Sequence, residues 1–286
     1  MSIDIHSFYH KNTATFSYIV VDPATKKCAI IDSVVDFDPV SGVLSHESVD
    51  AMISLIKTHT WQVEWVLDTH IHADHLTASA YIKQQLGGKI AIGARIKEVL
   101  EHWVPVFNSE NDTCLQAGQF DVLLGNGDTF EIGSVAVKVI HTPGHTPACL
   151  TYLMEDAAFV GDLMFMPAVG TGRADFPGGD ANAQYDSITK ILSLPDQTRI
   201  FVGHDYPSEG ENPMCETSVI DQKQNNVLYQ NTMTQEQYVQ ARNMKDSGKA
   251  LPLLLYPSIQ FNLRAGRLGY PESNGVTYIK IPVQSS

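Results

Sequence analysis

The sequence predicts an α/β sandwich, two mixed β-sheets covered by helices on their outer faces, and three observations carry that expectation. Short β-type runs alternate with stretches whose apolar residues recur at helical spacing. One long segment, Val122 to Val160, reads as consecutive short strands separated by turns. No internal repeat, low-complexity tract or long Gly/Ser linker divides the 286 residues, so one domain over 1–286 is expected.

Taken in order, Phe16–Val21 and Cys28–Ile31 flank Asp-Pro-Ala-Thr-Lys-Lys, whose Asp-Pro start is a turn signal, and together they read as a hairpin. Ser45 precedes Val49, Met52, Ile53 and Ile56, the i, i+3, i+4, i+7 face of a helix that Ser45 caps, with Glu47 in the first turn where the helix dipole favours it. Val63–Leu67 is a buried strand. A second helix is expected from Asp74 to Leu86, stopped by Gly87 and Gly88, and a third carries Ile96, Val99, Leu100 and Trp103. After the strands of 122–160, Tyr185, Ile188 and Leu192 mark a helix and Ile200–Val202 a strand. Thr234 and Gln237 have the spacing of a capping box for a helix ending near Gly248.

Composition narrows the function. A formal charge of −13 and the lack of Lys/Arg clusters exclude phosphate-backbone binding, and no apolar run approaches the ~18 residues of a membrane span. Neither nucleic acid nor membrane is an expected partner. Cys28, Cys114, Cys149 and Cys215 form no CxxC pair, which argues against a disulfide framework or a thiolate metal site. The N-terminal stretch has neither the basic start and apolar core of a signal peptide nor the Arg-rich character of a transit peptide, so a soluble, cytoplasmic protein is expected.

The chemistry sits where apolar runs end. Trp-Val-Leu-Asp-Thr-His-Ile-His-Ala-Asp-His, Val-Lys-Val-Ile-His-Thr-Pro-Gly-His, Ala-Ala-Phe-Val-Gly-Asp and Arg-Ile-Phe-Val-Gly-His-Asp each finish on groups that bind metal. Ligands at several strand ends converge at one sheet edge. The candidates are His70, His72, Asp74, His75, His145, Asp162 and His204, a nitrogen and oxygen set suited to zinc, iron or manganese. Thr142-Pro143-Gly144 has the residues of a type II turn that aims His145 at that edge, and Gly161 and Gly203 leave room beside Asp162 and His204. His6, His10, His46, His59, His102 and His141 read as ordinary surface or core histidines.

These motifs resemble the metallo-β-lactamase superfamily over roughly 15–206, which implies the αββα sandwich with its metal site at one edge, and leaves about 207–286 as a C-terminal extension. Val-Gly-Thr-Gly-Arg-Ala-Asp-Phe-Pro-Gly-Gly-Asp at Val169–Asp180 resembles the persulfide dioxygenases, and Tyr-Pro-Ser-Ile-Gln-Phe-Asn-Leu-Arg-Ala-Gly-Arg at Tyr256–Arg267 the bacterial β-lactamase hydrolase-like branch. The resemblance implies one Fe(II) per chain held by His70, His145 and Asp162, with His72, Asp74, His75 and His204 around it, and oxidation of glutathione persulfide by O2 and water to sulfite and glutathione. It equally admits a glyoxalase II-type thioester hydrolase, zinc-tolerant, with His70, His72 and His145 on one metal, Asp74, His75 and His204 on a second, and Asp162 bridging. Asp74, His75, Arg173 and Tyr206 are expected to be catalytic. Arg173, Tyr206, Arg264 and Arg267 are expected at the substrate, the two C-terminal arginines at its glutathione end. Arg173 offers a planar cation to an anionic substrate, or else pairs with Asp175 or Asp180. A small-molecule substrate is the expected partner and a homodimer the expected assembly.

Overall fold

Strands β1 (Asp4–His10), β2 (Thr15–Asp22) and β3 (Lys27–Ile31) form an antiparallel meander, so the hairpin read from the Asp-Pro turn is present. The computed structural model describes residues 3–230 and 232–283. After β4 (Val34–Asp38), β5 (Val43–Ser45) and α1 (Glu47–His59), strand β6 (Gln62–Leu67) returns parallel to β3. Next come β7 (Leu76–Thr77), α2 (Ser79–Leu86), β8 (Lys89–Gly93), α3 (Ile96–Phe107) and β9 (Val122–Leu124). The first sheet has the order β1-β2-β3-β6-β8-β9, parallel from β3 onward because α1, α2 and α3 supply crossovers.

The second sheet is built from β10 (Thr129–Ile132), β11 (Val135–His141), β12 (Leu150–Met154), β13 (Ala157–Phe159), β14 (Arg199–Phe201) and β15 (Glu216–Ser218), in chain order. Only β13 and β14 run parallel, joined through α4 (Ala181–Leu192). The chain continues through α5 (Val219–Asn225), α6 (Gln235–Asp246) and α7 (Leu255–Asn262).

Alternation along the strands creates the layers. Val20, Ile31 and Leu67 face Val137, Tyr152 and Phe159 between the sheets. Their neighbours Ile19, Ile30 and Val66 face outward onto α1, α2, α3 and α7. On the far side Ile140, Ala158 and Ile200 pack under Ile188 and Ile191 of α4 and Tyr238 of α6. This is the αββα sandwich the sequence predicts, and no helix among the described residues is long and apolar enough to cross a membrane.

Two helix starts differ from the expectation. Ser45 is not a cap, because it closes β5 opposite Asp36; His46 takes the cap position without a side-chain bond, and Asp36 instead accepts from the Ser48 backbone at 3.0 Å and hydroxyl at 2.7 Å. Helix α2 begins at Ser79, not Asp74. The intervening residues are claimed by other partners: Leu76 and Thr77 pair with β4, and the Thr77 hydroxyl bonds to Asp68 at 2.9 Å. The Thr234–Gln237 capping box is present.

One side chain clasps the two sheets. Asp22, 2% exposed, accepts from Ser134 N and Oγ at 2.8 Å each in the β10–β11 turn, and from Thr25 Oγ1 and Ala24 N in its own turn. The Ser134 amide, working against burial, holds the carboxyl well below its ordinary range. A depressed folded pKa contributes stability that is complete above the unfolded value of about 4 and is lost as pH falls toward the folded one. Asp22→Asn is therefore expected to cost about 1–3 kcal/mol near neutrality. In urea titrations between pH 7 and 3, the gap between parent and variant should shrink; a gap constant with pH would contradict the assignment.

Candidate metal centre

The ligand candidates meet at one edge of the sandwich because each follows a strand. His70, His72, Asp74 and His75 lie between β6 and β7, His145 after β11, Asp162 in a 3-10 turn (Gly161–Leu163) after β13, and His204 after β14. The donor atoms of His70, His145 and Asp162 lie within 4.8 Å of one another, and those of His72, Asp74 and His75 form a second such group. Asp162 Oδ2 is 3.6 Å from His145 Nε2 and 4.0 Å from His70 Nε2. His204 Nε2 lies between two carboxylates, 3.3 Å from Asp162 Oδ1 and 3.2 Å from Asp74 Oδ2.

Glycines allow this closeness. Gly161 has φ +51°, and a Cβ there would sit 2.4 Å from Thr69 Oγ1; at Gly203 it would sit 2.8 Å from Asp162 Oδ1. Gly144, with φ +145°, serves a different partner from the one its turn suggests: a Cβ would lie 2.4 Å from the Gln184 backbone, so α4 packs directly on the turn that carries His145.

Hydrogen bonds fix which nitrogen of each ring is bare. His145 Nδ1 donates to the Arg173 carbonyl at 2.7 Å, leaving Nε2 toward Asp162. The Thr69 hydroxyl donates to Asp32 at 2.8 Å and so accepts from His70 Nδ1 at 3.0 Å, leaving His70 Nε2 bare. His72 Nε2 donates to Asp32 at 3.0 Å. The result is a set of buried nitrogens, His70 Nε2, His72 Nδ1 and His75 Nε2, with no hydrogen-bond partner among the described residues. Bare, buried ring nitrogens grouped beside carboxylates fit a metal ion, which is the partner they lack.

The electrostatics divide the rings: burial works against the charge on His72, but Asp32 outweighs it and raises that ring to about 9. Burial lowers His70 well below its ordinary range and brings His75 down to about 4, so both rings are neutral as ligands must be. At His204 burial opposes the charge, but Asp162 and Asp74 outweigh it and raise the ring to about 10. Asp162 is held ionised: burial works against it, and His204, His145 and His70 more than compensate.

The centre opens into a cavity of about 1220 Å³ whose walls include Phe165, Phe176, Thr171, Arg173 and Tyr206. Burial and the Asp162 and Asp74 carboxylates push the Tyr206 phenol up, so it faces the cavity as an O–H donor. The Arg173 fork is engaged with Asp175 at 2.6 and 2.7 Å, with a third bond to Ala250 O and its face on the Phe176 ring. It therefore holds the loop whose carbonyl orients His145, the pairing role of the two the sequence allows. Thr171 is likewise tied, to Tyr238 OH at 2.9 Å, with its carbonyl on the buried Arg242. The cations that reach the cavity wall beside Arg173 are Lys245 and Lys249, from α6 and just beyond it.

Arg264 and Arg267 are not at this site. Arg264 is buried and pairs with Asp112 at 2.8 and 3.0 Å, and Arg267 contacts the carbonyls of Gln119 and Arg264. Their charge secures the turn after α7. Three residues the sequence reading passed over belong here instead. Asp32 orients Thr69 and His72, and it ends the apolar run Cys28–Ile31 just as the ligands end theirs, a signal of the same form. His10 lines the cavity. Asn262 Nδ2 donates to the carbonyls of His72 and His75 at 2.8 Å each, and its Oδ1 accepts from Thr77 N at 2.8 Å. Nothing local marks Asn262.

Comparison with known proteins places these features. The model of the metallo-beta-lactamase superfamily matches residues 11–204. A beta-lactamase hydrolase-like protein of Agrobacterium fabrum is 45% identical over 279 residues, 98% of this chain and 64% of its own length, so the chain spans under two thirds of that relative. A protein of Dictyostelium discoideum named glyoxylase B2 is 42% identical over 281 residues, covering 98% of this chain and 96% of its own. The mitochondrial persulfide dioxygenase of Mus musculus is 28% identical over 205 residues, 71% of this chain and 68% of its own. The crystal structure of ETHE1 from Myxococcus xanthus superposes with a TM-score of 0.74 at 26% identity, covering 93% of this chain and all of that one.

Proposed function

The chain belongs to the metallo-β-lactamase superfamily, and from that premise we propose that it is a persulfide dioxygenase with one non-haem Fe(II) held by His70, His145 and Asp162. The observation that carries the reading is the grouping of donors. His70, His145 and Asp162 gather as a two-histidine, one-carboxylate set, while His72 commits its Nε2 to Asp32 and groups with Asp74 and His75. Such a triad leaves coordination positions for two reactants. The likeness to the mouse persulfide dioxygenase and the Myxococcus ETHE1 structure supports the same reaction.

Written for the ionised persulfide, the balance is RSS⁻ + O2 + H2O → RSH + SO3²⁻ + H⁺. A bound Fe(II) supplies a place where dioxygen and a soft sulfur anion meet. The chain's own residues do the rest. Thr69 and the Arg173 carbonyl hold the two imidazoles with their lone pairs toward Asp162. Phe165 and Phe176 make the apolar walls that keep bulk water from the sulfur, and Tyr206 offers its hydroxyl to an anionic oxygen or sulfur. Lys245 and Lys249 on the cavity wall are the cations we assign to the carboxylates of a glutathione carrier, in place of the C-terminal arginines.

A second reading is thioester hydrolysis with two metals. A second metal-capable cluster favours it, although its members, His72, Asp74 and His75, cross the ligand division that the resemblance implies, and the 42% identity to glyoxylase B2 supports it too. Metal analysis and an oxygen electrode separate the two. The dioxygenase is expected to carry about one iron per chain, to consume dioxygen with glutathione persulfide and to release an equal amount of sulfite. About two metals per chain, with S-lactoylglutathione hydrolysed and no oxygen uptake, would reverse the assignment.

A further inference from the structure

The carbonyl of Arg173 fixes His145, and the backbone on either side of that carbonyl is itself held by buried side chains. Gln184 of α4, 0% exposed, donates from Nε2 to the Gly172 carbonyl at 2.9 Å. Its Oε1 accepts from the Tyr238 hydroxyl at 2.8 Å. On the other side Ala174 N donates to Asp246 Oδ2 at 3.0 Å, and Asp246 pairs with Arg242, whose Nη1 reaches the carbonyl and the hydroxyl of Thr171 at 2.8 and 3.2 Å. Tyr238, Arg242 and Asp246 belong to α6, which lies beyond residue 204, where the superfamily match stops.

The direction of these bonds is fixed at both ends, because a guanidinium only donates and a carbonyl only accepts. The Thr171 hydroxyl therefore accepts from Arg242 and donates to the Tyr238 oxygen 2.9 Å away, Tyr238 donates to Gln184 Oε1, and Gln184 Nε2 donates to Gly172. Turning the amide over would set two oxygens against each other at Gly172, so Gln184 has one orientation. The same residue meets the other partner of the ligand bond. A Cβ on Gly144, next to His145, would lie 2.3 Å from Gln184 Cβ, and Asp180 N, at the start of α4, donates to the Gly144 carbonyl at 2.8 Å. Gln184 thus touches both the turn that carries His145 and the loop that carries its acceptor.

We propose that Gln184 is a positioning residue for the metal centre, holding His145 Nδ1 and the Arg173 carbonyl in register, and that α6 locks it there through Tyr238 and Arg242. The C-terminal extension then supports a ligand and is not an appendage to the sandwich. The inference rests on His145 as a ligand, which both reactions weighed above require. A bond between a ring and a carbonyl from separate segments is kept only where both segments are fixed to a common body, here Gln184. Without its amide the Gly172 carbonyl is buried and unpaired, the loop turns to find another donor, and His145 Nδ1 loses the acceptor that keeps Nε2 bare. The effect is not confined to one ligand: a Cβ on Gly172 would lie 1.9 Å from the Asp162 carbonyl oxygen, so the loop that Gln184 holds also rests on the backbone of Asp162.

The experiment uses Gln184→Met, which keeps the length of the side chain and removes both bonds. In ¹⁵N-histidine NMR of the metal-free protein, at a pH where the ring is neutral, His145 of the parent is expected in the Nδ1–H form and that of the variant as a mixture of tautomers. Titrated with Co(II) against a competing chelator, the variant is expected to bind about tenfold to a hundredfold more weakly. Tyr238→Phe removes only the hydroxyl that α6 contributes and should move both readouts the same way by a smaller factor; it decides the matter where Gln184→Met does not fold. Tyr229→Phe is the control. Its ring packs on Tyr238 at 6.2 Å and its hydroxyl lies 3.2 Å from Thr189, outside the series, so the His145 signals and Co(II) affinity should stay with the parent even where stability falls. Parental tautomer and affinity in both Gln184→Met and Tyr238→Phe overturn the proposal, as does an equal change in Tyr229→Phe. His145→Ala separates this from a failure of the site itself: parental Co(II) affinity there removes His145 from the ligand set, whereas its loss beside an unaffected Gln184→Met strikes the positioning role alone.

Discussion

Asp162→Ala protein is expected to purify with little bound iron and to lose turnover by about 10³-fold or more, because one side chain performs three tasks. Its Oδ2 faces His145 and His70, its Oδ1 faces His204, and it supplies the carboxylate of the proposed triad. Removing it leaves the raised His204 ring with Asp74 alone and deprives the buried His70 and His145 rings of the carboxylate they face. The informative control is His72→Ala. His72 bonds to Asp32 and groups with Asp74 and His75, so that variant should keep most of its iron while changing the geometry nearby. Metal content by mass spectrometry decides: full occupancy in Asp162→Ala together with iron loss in His72→Ala would exchange their roles.

Asn262→Leu is expected to lower the melting temperature by on the order of 10 °C. Leucine has nearly the same shape, but it leaves the carbonyls of His72 and His75 and the amide of Thr77 buried without partners, at about 1–3 kcal/mol for each. The damage should reach the centre as well, since those backbone groups belong to the loop carrying Asp74 and His75. At a temperature where the variant is folded by circular dichroism, its metal affinity should be reduced by about tenfold to a hundredfold. A melting temperature within a degree or two of the parent would show that water or a rearranged loop satisfies the three groups.

The convergence of the candidate ligands is legible because each follows an apolar run, and the alternation of buried residues in β3, β6 and β14 is written in adjacent positions. The same logic extends to Asp32, because Cys28–Ile31 is at once half of a hairpin and another apolar run ending on a carboxylate. Long-range contacts were not legible. The helical spacing after Asp74 is real, but the helix starts at Ser79 because β4 and Asp68 claim Leu76 and Thr77 from elsewhere in the chain. Arg264 illustrates a second limit: an arginine in an acidic protein looks available to substrate until its distant carboxylate partner, Asp112, is located, whereas the Asp175 partner of Arg173 lies two residues away and is readable. His10 failed for the converse reason. Its isolation along the sequence hid contacts with Thr13 and Asp36 that the β1–β2 turn and β4 assemble.

The tie from Asn262 to the ligand loop has a consequence for biosynthesis. Its two ends are separated by 185 to 190 positions, so the loop can be fastened only after residue 262 has been made. Contacts of such sequence separation form late, because loop closure must precede any reward from them. The emerging chain therefore presents its histidines in an unfastened loop for the synthesis of at least 185 further residues, and tight capture of a metal at the candidate centre is expected to wait for α7 to dock. A ribosome-bound chain stalled before α7 should take up metal weakly and exchange it freely, while a chain extended past α7 should hold it as a slow-exchanging centre. Acquisition of the ion would thereby be coupled to synthesis of α7.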